Sequence, residues 1–278
     1  MGAQTRIPTD SPGQVPDLAA YDLILVNTSA GKDSQATMDV VAVHAAAAGV
    51  LHRVVAVHAH LGEQVEWPDT TELAAEHAAH YGFPFEVVRH QKWGDLLERI
   101  EAHGRWPDKK NRFCTSEFKT AQVRRLMTAL VRLRRAAWGL PPDGRSGPQV
   151  RILNVLGLRA EESDDRALMA PFSHDAASSN GKRHVDEWLP LHAWTVAEVW
   201  GRIAEAGTRH HWAYDLGMTR LSCRLCVLAS KADLAVSVRA NPDTATAYAA
   251  AEARMGHRFT ARLSMADIVV AARRGTGS

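Results

Sequence analysis

Two groups of residues in this sequence have types and spacings that could do chemistry. The first is a run of small and charged residues, Ser29-Ala30-Gly31-Lys32-Asp33-Ser34, which directly follows the apolar segment 23–26. The second is a set of three cysteines: Cys223 and Cys226 have Cys-x-x-Cys spacing, and Cys114 lies far upstream. The first group could bind phosphate, and the second could bind a metal.

The run at 29–34 has the composition of a phosphate-binding turn. Ser29, Gly31 and Ser34 are small, so a phosphate could approach the backbone N–H groups closely. Lys32 supplies a cation, and Asp33 could hold Mg²⁺ or position the loop. The spacing differs from that of a Walker loop, G-x-x-x-x-G-K-[ST]. On these residues alone, a plain turn with an exposed Lys-Asp pair is an equally good interpretation.

The elements that must position these residues alternate along the chain. Apolar runs predict strands at 23–26, 54–57, 85–88 and 152–156, and intervening segments predict helices at 35–48, 72–81 and 196–206. This alternation is typical of an α/β fold with a mainly parallel sheet and helices on both faces. In such sheets ligands bind beyond the carboxyl ends of the strands, which is where Gly157 and Arg159 also fall.

The remaining segments suggest how the chain is divided. Residues 1–20 are predicted to include a flexible polar tail, 21–219 to form the α/β domain, and 220–278 to form a helical region that carries the Cys-x-x-Cys pair. Residues 140–149 are rich in proline and glycine and predict a surface loop. Residues 173–184 are polar and predict a second loop.

Composition narrows the class of protein. The 278 residues are 46% hydrophobic and 23% charged with a formal net charge of +2, so the chain can bury a full core and is not an overall polyanion binder. No apolar run approaches the ~20 residues that span a bilayer, and the first residues lack a signal-peptide core. We therefore expect a cytoplasmic protein without membrane contact. Three cysteines argue against a disulfide framework.

One segment departs from the even charge balance. Five arginines crowd residues 124–135: Arg124, Arg125, Arg132, Arg134 and Arg135. They could face nucleic acid or phosphate, or they could form a solvated helix face.

The two groups belong to a wider pattern that resembles the phosphoadenosine phosphosulfate (PAPS) reductase family of PP-loop enzymes. The matching segments, in chain order, are 29–34, His60-Leu61-Gly62-Glu63, Arg112-Phe113-Cys114-Thr115 with Lys119, Gly157-Leu158-Arg159 with Arg166, and 211–226. The resemblance covers roughly residues 21–259. Ala30 stands where the family pattern S-G-G-x-D-S has glycine. The resemblance implies a Rossmann-like adenine nucleotide alpha-hydrolase fold.

The resemblance also implies roles for the basic and glycine residues. It predicts that ATP and Mg²⁺ bind at residues 29–34, here called the phosphate loop. Lys32, Asp33 and Arg159 are the predicted catalytic residues. The predicted nucleotide-binding set is Ser29, Ala30, Gly31, Lys32, Asp33, Ser34, Gly62, Lys119, Gly157, Arg159 and Arg166. An arginine can clamp phosphate oxygens with two parallel hydrogen bonds, and a lysine adds a point charge. For Arg159 the alternative is a surface salt bridge with Glu161 or Glu162.

The cysteines leave three interpretations open. Some PP-loop sulfur-transfer enzymes hold a [4Fe–4S] cluster with three cysteines, so the resemblance predicts such a cluster at Cys114, Cys223 and Cys226. A tetrahedral Zn²⁺ site is the alternative, and it would need a fourth ligand such as His210 or His211. Three inert buried thiols are the third interpretation.

The family pattern then separates two enzymatic activities. Reductases of the family carry a catalytic cysteine in a carboxyl-terminal tail, and residues 271–278 contain none. We therefore expect an ATP pyrophosphatase that adenylates an acceptor and supports sulfur transfer, as in DNA phosphorothioation or tRNA thiolation. A PAPS or adenylylsulfate reductase and a non-catalytic nucleotide-binding subunit are the alternatives. Expected partners are a cysteine desulfurase or other sulfur donor and DNA or tRNA, with a homodimer left open.

Overall fold

The computed structural model describes residues 15–144 and 146–274. These residues cluster into two compact units whose segments interleave along the chain. The first unit contains residues 15–58, 72–87 and 124–210, and the second contains 59–71, 88–123 and 211–274. The division at residue 220 expected from the sequence stays a prediction, as does the tail at 1–14, which lies outside the described residues. Leu18, within the segment predicted as a tail, is buried.

Six strands form one sheet. They are β1 (Leu23–Thr28), β2 (Val54–His60), β3 (Phe85–Arg89), β4 (Val150–Val155), β5 (Phe172–His174) and β6 (Arg183–Trp188). The order across the sheet is β3-β2-β1-β4-β6-β5. β1 pairs in parallel with β2 and β4, β4 pairs in parallel with β6, and β5 is antiparallel to β6. The predicted α/β class with a mainly parallel sheet is therefore confirmed.

Helices connect and follow the strands. They are α1 (Lys32–Ala47), α2 (Thr70–His80), α3 (Leu96–His103), α4 (Phe113–Thr115), α5 (Ala121–Ala137), α6 (Asp164–Ala167), α7 (Val196–Ala206), α8 (Lys231–Ala240), α9 (Pro242–Met255) and α10 (Met265–Arg274). A π-helix, Ser116–Thr120, lies between α4 and α5. Short 3₁₀ turns occupy Leu18–Ala20, Leu51–Arg53, Ala160–Glu162 and Trp212–Tyr214. Each helix in the described part of the chain is too short or too polar to span a bilayer.

The first unit has a core built around the central strands. Ile24 and Val26 of β1 and Leu153 and Val155 of β4 are fully buried, as is Met38 of α1. A strand whose side chains are buried on both sides reads as a continuous apolar run, which is why β1 was predictable from its sequence.

The second unit has its own apolar core. Aromatic rings dominate it: Trp106 stacks on Tyr248 with ring centroids 5.2 Å apart, and Phe259 packs edge-on to Trp106. Leu234 of α8 and Ile268 of α10 complete the core from the carboxyl-terminal helices. The expectation of a mostly helical region after residue 220 agrees with α8, α9 and α10.

The loop predicted at residues 173–184 overlaps a strand at each of its two ends. The segment 173–184 holds the end of β5 and the start of β6. Its polar residues are satisfied by one another: Ser178 donates its backbone N–H to Asp175 Oδ1 at 2.9 Å, and Val185 donates its N–H to Ser179 Oγ at 2.9 Å. The predicted loop is therefore found at residues 175–182, and the prediction is wrong only at its two ends, which belong to the strands.

Candidate functional site

The run at 29–34 forms the turn that joins β1 to α1. Ser29 donates its N–H to Ser34 Oγ at 3.1 Å, and that hydroxyl donates to Gly31 O at 2.9 Å. Gly31 is the N-cap of α1 and makes no side-chain cap hydrogen bond. The first N–H groups of a helix have no internal acceptor, so this end of α1 can bind an anion.

Ala30 takes an unusual backbone conformation in this turn. Its φ is +55° and its side chain is fully buried. A side chain with a Cβ in the left-handed region costs roughly 1 kcal/mol or more, and glycine avoids that cost. The departure from the family's glycine pattern therefore keeps the turn but adds strain at residue 30.

Three of the predicted site residues meet at the start of α1. Arg159 Nε donates to Asp33 Oδ1 at 2.6 Å, and Lys32 Nζ lies 3.1 Å from Asp33 Oδ2. Lys32 and Arg159 are 2% and 4% exposed, so the cations are buried beside one carboxylate. Burial alone would lower the pKa of Arg159, but the hydrogen bond and charge of Asp33 outweigh it and raise that pKa. Both Asp33 oxygens are engaged by protein cations, and its predicted role as a Mg²⁺ ligand stays a prediction.

Gly157 allows this close approach. The backbone after β4 passes so near α1 that a Cβ at residue 157 would lie 2.8 Å from Asp33 O and 2.8 Å from Thr37 Oγ1. Such distances are too short for non-bonded atoms, so any side chain here would push the segment away from α1. The position of Arg159 therefore depends on a glycine two residues earlier.

Arg159 also contacts two acidic neighbours, Glu161 and Glu162, which the sequence offered as alternative salt-bridge partners. Its Nη1 donates to Glu161 Oε2 at 2.5 Å, and its backbone N–H donates to Glu162 Oε2 at 3.0 Å. Glu162 pairs in turn with Arg166. The salt bridge and a phosphate-binding role are compatible, because the Glu161 side chain is 52% exposed and can be displaced by a ligand.

Gly62 and Lys119 belong to the second unit, and their predicted contacts with nucleotide stay predictions. Gly62 has φ +110°, and a Cβ there would lie 2.2 Å from Asp95 Oδ2. Asp95 accepts the N–H of Gln64 at 2.8 Å and caps α3 through Leu97 N. The sequence reasoning overlooked Asp95, although an aspartate before an apolar helical segment is an N-cap signal.

The three cysteines all lie in the second unit and are half-buried. Cys114 is in α4, directly before the π-helix that contains Lys119. Cys223 and Cys226 lie in the irregular segment before α8. Cys114 and Cys223 both pack against the apolar core of this unit. π-Helical turns are rare and often occur at functional sites, so this one marks the Cys114 segment for attention.

Electrostatics set Cys223 apart. Burial raises the pKa of its thiol far above the ordinary value, the neighbouring Cys226 thiol adds to the rise, and Lys119 opposes it. A buried thiol of this kind stays protonated near neutral pH unless a cation or metal compensates the charge of the thiolate.

Neither the predicted [4Fe–4S] cluster at these three cysteines nor its zinc alternative is tested by these contacts, and both stay predictions. One tetrahedral Zn²⁺ ion would hold its thiolates roughly 3.8 Å apart, with Zn–S bonds near 2.3 Å.

His211, proposed as a fourth zinc ligand, has both ring nitrogens engaged. Its Nε2 lies 2.9 Å from Pro68 O, and its Nδ1 accepts the N–H of Ala213 at 3.1 Å. The ring is completely buried, and both of its nitrogens already have hydrogen-bond partners within the second unit.

The arginines of α5 are mostly engaged within the protein. Arg135 is fully buried and donates to the carbonyls of Pro141, Ser146 and Pro148. Arg134 donates to Asp22 O at 2.5 Å. Similarly, Arg124 donates to Ser178 Oγ at 2.8 Å, and Arg132 pairs with Asp143 at 3.0 Å. Arg125 and Arg132 are exposed, as expected of a solvated helix face, whereas the contacts of Arg124, Arg134 and Arg135 with neighbouring segments were not anticipated from the sequence.

The mainly parallel sheet with its connecting helices defines an α/β protein with a Rossmann-like fold. The sequence matches the phosphoadenosine phosphosulfate reductase domain over residues 23–229, and the chain belongs to that family. The predicted family resemblance is thereby confirmed. A 37.8 kDa uncharacterized protein of Escherichia phage 186 is 30% identical over 132 residues, covering 48% of this chain and 34% of that relative. The match thus spans about a third of the relative's length.

Several solved structures are similar to this chain at low sequence identity. The PAPS reductase of Candida auris, in a phosphate complex, is 16% identical with a TM-score of 0.45, over 74% of this chain and 83% of that one. The U34-tRNA thiolase NcsA of Methanococcus maripaludis, with its [4Fe–4S] cluster, is 13% identical with a TM-score of 0.43, over 93% and 74%. Candida glabrata FMN adenylyltransferase with FAD and pyrophosphate is 12% identical with a TM-score of 0.42, over 73% and 56%. At these values the likeness carries no information on substrate.

Proposed function

We propose that this protein is an ATP pyrophosphatase that cleaves ATP to AMP and pyrophosphate, adenylates an acceptor and supports iron–sulfur-dependent sulfur transfer. The observation that carries the proposal is the cluster of Lys32, Asp33 and Arg159 at the amino-terminal end of α1. Two buried cations beside a helix N-terminus form a site for a polyphosphate.

The chain's own residues suggest how cleavage would be assisted. Backbone N–H groups at the start of α1 would bind phosphate oxygens, and Lys32 and Arg159 would neutralise the charge that develops on departing pyrophosphate. Asp33 would keep both cations oriented toward the phosphates, with Mg²⁺ nearby. Attack by an acceptor oxygen on the α-phosphorus, in line with the leaving group, forms the adenylated acceptor and releases pyrophosphate.

Residues of the second unit would supply the sulfur chemistry. The donor set of three half-buried thiols fits a metal group, because burial raises the pKa of Cys223 and a bound cation would stabilise its thiolate. Cys114, Cys223 and Cys226 would hold a [4Fe–4S] cluster, and zinc is the alternative. When bound by three thiolates, such a cluster supplies one iron with an open position for a sulfur ligand.

The type of reaction limits the chemistry of the acceptor and of the sulfur donor. An acceptor must offer an oxygen that can be adenylated, and we propose a nucleic acid, DNA or tRNA. A cysteine desulfurase or another persulfide donor would supply the sulfur. Affinity for nucleic acid that falls steeply with rising salt would support the first assignment. Salt-independent binding, or none, would oppose it.

The products of ATP cleavage test the proposed reaction. ATP labelled at the α-phosphate is incubated with the anaerobically purified protein, a sulfur donor and total nucleic acid. We expect labelled AMP together with pyrophosphate. Formation of ADP and phosphate would refute cleavage between the α- and β-phosphates, and tight ATP binding without turnover would favour a non-catalytic nucleotide-binding subunit.

Membership of the PAPS reductase domain family favours a second candidate, a sulfonucleotide reductase. PAPS or adenylylsulfate is supplied with a thiol reductant such as thioredoxin, and sulfite is measured. Release of sulfite at a rate that depends on Arg159 would favour the reductase. Absence of sulfite alongside AMP formation from ATP would favour the pyrophosphatase.

A further inference from the structure

Three metal-ligating side chains meet at the β5–β6 edge of the sheet, within the first unit. His174 of β5 lies opposite Asp186 of β6, and His184 lies two residues before Asp186 on the same face. His174 Nδ1 is 3.3 Å from Asp186 Oδ1, and His184 Nε2 is 2.9 Å from the same oxygen. One ligand atom from each residue lies within 4.8 Å of the other two.

These separations agree with the size of a single ion's coordination shell. Zinc–nitrogen and zinc–oxygen bonds of about 2.0–2.1 Å place tetrahedral ligand atoms roughly 3.3 Å apart. The two measured separations, 2.9 and 3.3 Å, differ from that value by a few tenths of an ångström at most. Small side-chain rotations would therefore let one ion replace the two histidine–carboxylate contacts.

The carboxylate is oriented by residues outside the three ligands. Asp186 is 5% exposed, and its second oxygen accepts the hydroxyl of Tyr21 at 2.8 Å. Arg151 Nη2 lies 3.7 Å from that same Oδ2. Both partners engage Oδ2 and leave Oδ1 directed at the two imidazoles, which is how surrounding hydrogen bonds orient a metal ligand.

We propose that His174, His184 and Asp186 form a binding site for one divalent transition ion, with Zn²⁺ as the first choice. Imidazole suits Zn²⁺, Co²⁺ and Ni²⁺, and one carboxylate adds charge without excluding them. Three protein ligands leave one tetrahedral position for water or a small ligand. His184 is the second residue of β6, near its amino-terminal end, whereas the phosphate loop follows the carboxyl end of β1. The proposed ion is thus distinct from the predicted nucleotide site and from the cysteines.

Cobalt titration tests the proposal and separates it from binding at the cysteines. Thiolate ligation of Co²⁺ produces an intense charge-transfer absorption that histidine and carboxylate ligands lack, so the two sites differ in spectrum. The variant His174→Ala removes an exposed ligand, and His52→Ala, at an exposed histidine of the Leu51–Arg53 turn, is the matched control. We expect wild type and His52→Ala to bind one equivalent of Co²⁺ that shows no thiolate charge-transfer absorption. The affinity of His174→Ala for this equivalent should be at least tenfold lower.

A second pair of measurements guards against a folding defect. Tyr21→Phe keeps all three ligands and removes the hydrogen bond to Asp186, so metal affinity should fall by about tenfold. Saturating Zn²⁺ should raise the melting temperature of wild type, because an ion that binds the folded state stabilises it, and should do so less in His174→Ala. Equal Co²⁺ affinity and equal Zn²⁺-induced stabilisation in wild type and His174→Ala would overturn the proposal.

Discussion

The phosphate loop and the cysteine segment are organised in opposite ways. At the loop, the charged groups already have partners within the protein: Lys32 from the run itself and Arg159 from a distant segment are both paired with Asp33, and the Ser34 hydroxyl closes the turn. The cysteines come from two distant segments, and burial keeps Cys223 in the neutral form. The first region is therefore preorganised by ion pairs within the protein, whereas the proposed role of the second depends on a bound group that would compensate the charge of its thiolates.

The largest expected effect lies in the first region. Replacing Arg159 by alanine removes the proposed phosphate clamp and leaves Asp33 with one cation fewer, so that the negative charge of Asp33 would oppose the nucleotide. Two charge-assisted hydrogen bonds at about 1.5–3 kcal/mol each correspond to a rise in the ATP dissociation constant of at least about 100-fold. Isothermal titration measures it.

Arg53→Ala is the matched control for that variant, because Arg53 donates to Ala19 O and Tyr21 O, away from the loop. Its ATP affinity should stay at the wild-type value. Arg159→Lys should recover part of the loss, since it restores the charge without the planar fork. An unchanged dissociation constant in Arg159→Ala would exclude Arg159 from the site.

The second prediction concerns Cys223 in the metal-free protein. Because burial raises its pKa, little thiolate exists at pH 8, and each pKa unit reduces the thiolate fraction about tenfold. Alkylation of Cys223 by iodoacetamide, followed by peptide mass spectrometry, should be more than tenfold slower in native protein than in urea. Equal rates would show that the thiol is exposed and freely ionised.

A smaller effect is expected from closing the space at Gly157. The variant Gly157→Ala places a Cβ within 2.8 Å of Asp33 O and should destabilise the fold by about 1–3 kcal/mol. Urea unfolding measures the loss. Gly181→Ala, where a Cβ would meet no atom within 4 Å, is the control. Equal stability of the two variants would contradict the close packing of this segment against α1.

The smallest predicted effect is stabilising. Ala30 has φ +55°, so Ala30→Gly should relieve strain and stabilise the protein by up to about 1 kcal/mol, less the entropy that glycine adds to the unfolded chain. Thermal unfolding of the two proteins gives the difference. A loss of more than 1 kcal/mol would mean that the buried methyl group matters more than the backbone conformation.

Local patterns in the sequence predict much of this structure. β1 is a continuous apolar run. Helix α7 (Val196–Ala206) follows a capping Thr195 and is ended by Gly207, and the bounds predicted for it from the sequence agree with the structure. The rule that ligands bind beyond the carboxyl ends of parallel strands also brought Arg159 to the same edge as Asp33. Their pairing was not predictable in detail, because it joins residues 126 positions apart.

The errors come from polar residues with tertiary partners. The strand β6 was hidden in a polar sequence because Asp186 is buried against Tyr21 and two histidines. Arg135 was expected on a helix surface, yet loop carbonyls bury it completely. Sequence periodicity reports apolar burial, and it carries no signal for a charged group whose hydrogen bonds are satisfied inside the protein.

Metal analysis of anaerobically purified protein shows whether the three cysteines hold an iron–sulfur cluster, as the proposed sulfur transfer requires. Iron, acid-labile sulfide and zinc are measured in wild type and in Cys114→Ala, with Ser222→Ala as the control beside the Cys-x-x-Cys pair. We predict about four irons and four sulfides per chain in wild type and in the control, and their loss in Cys114→Ala. Zinc in their place, or no metal in any of the three proteins, would contradict the account.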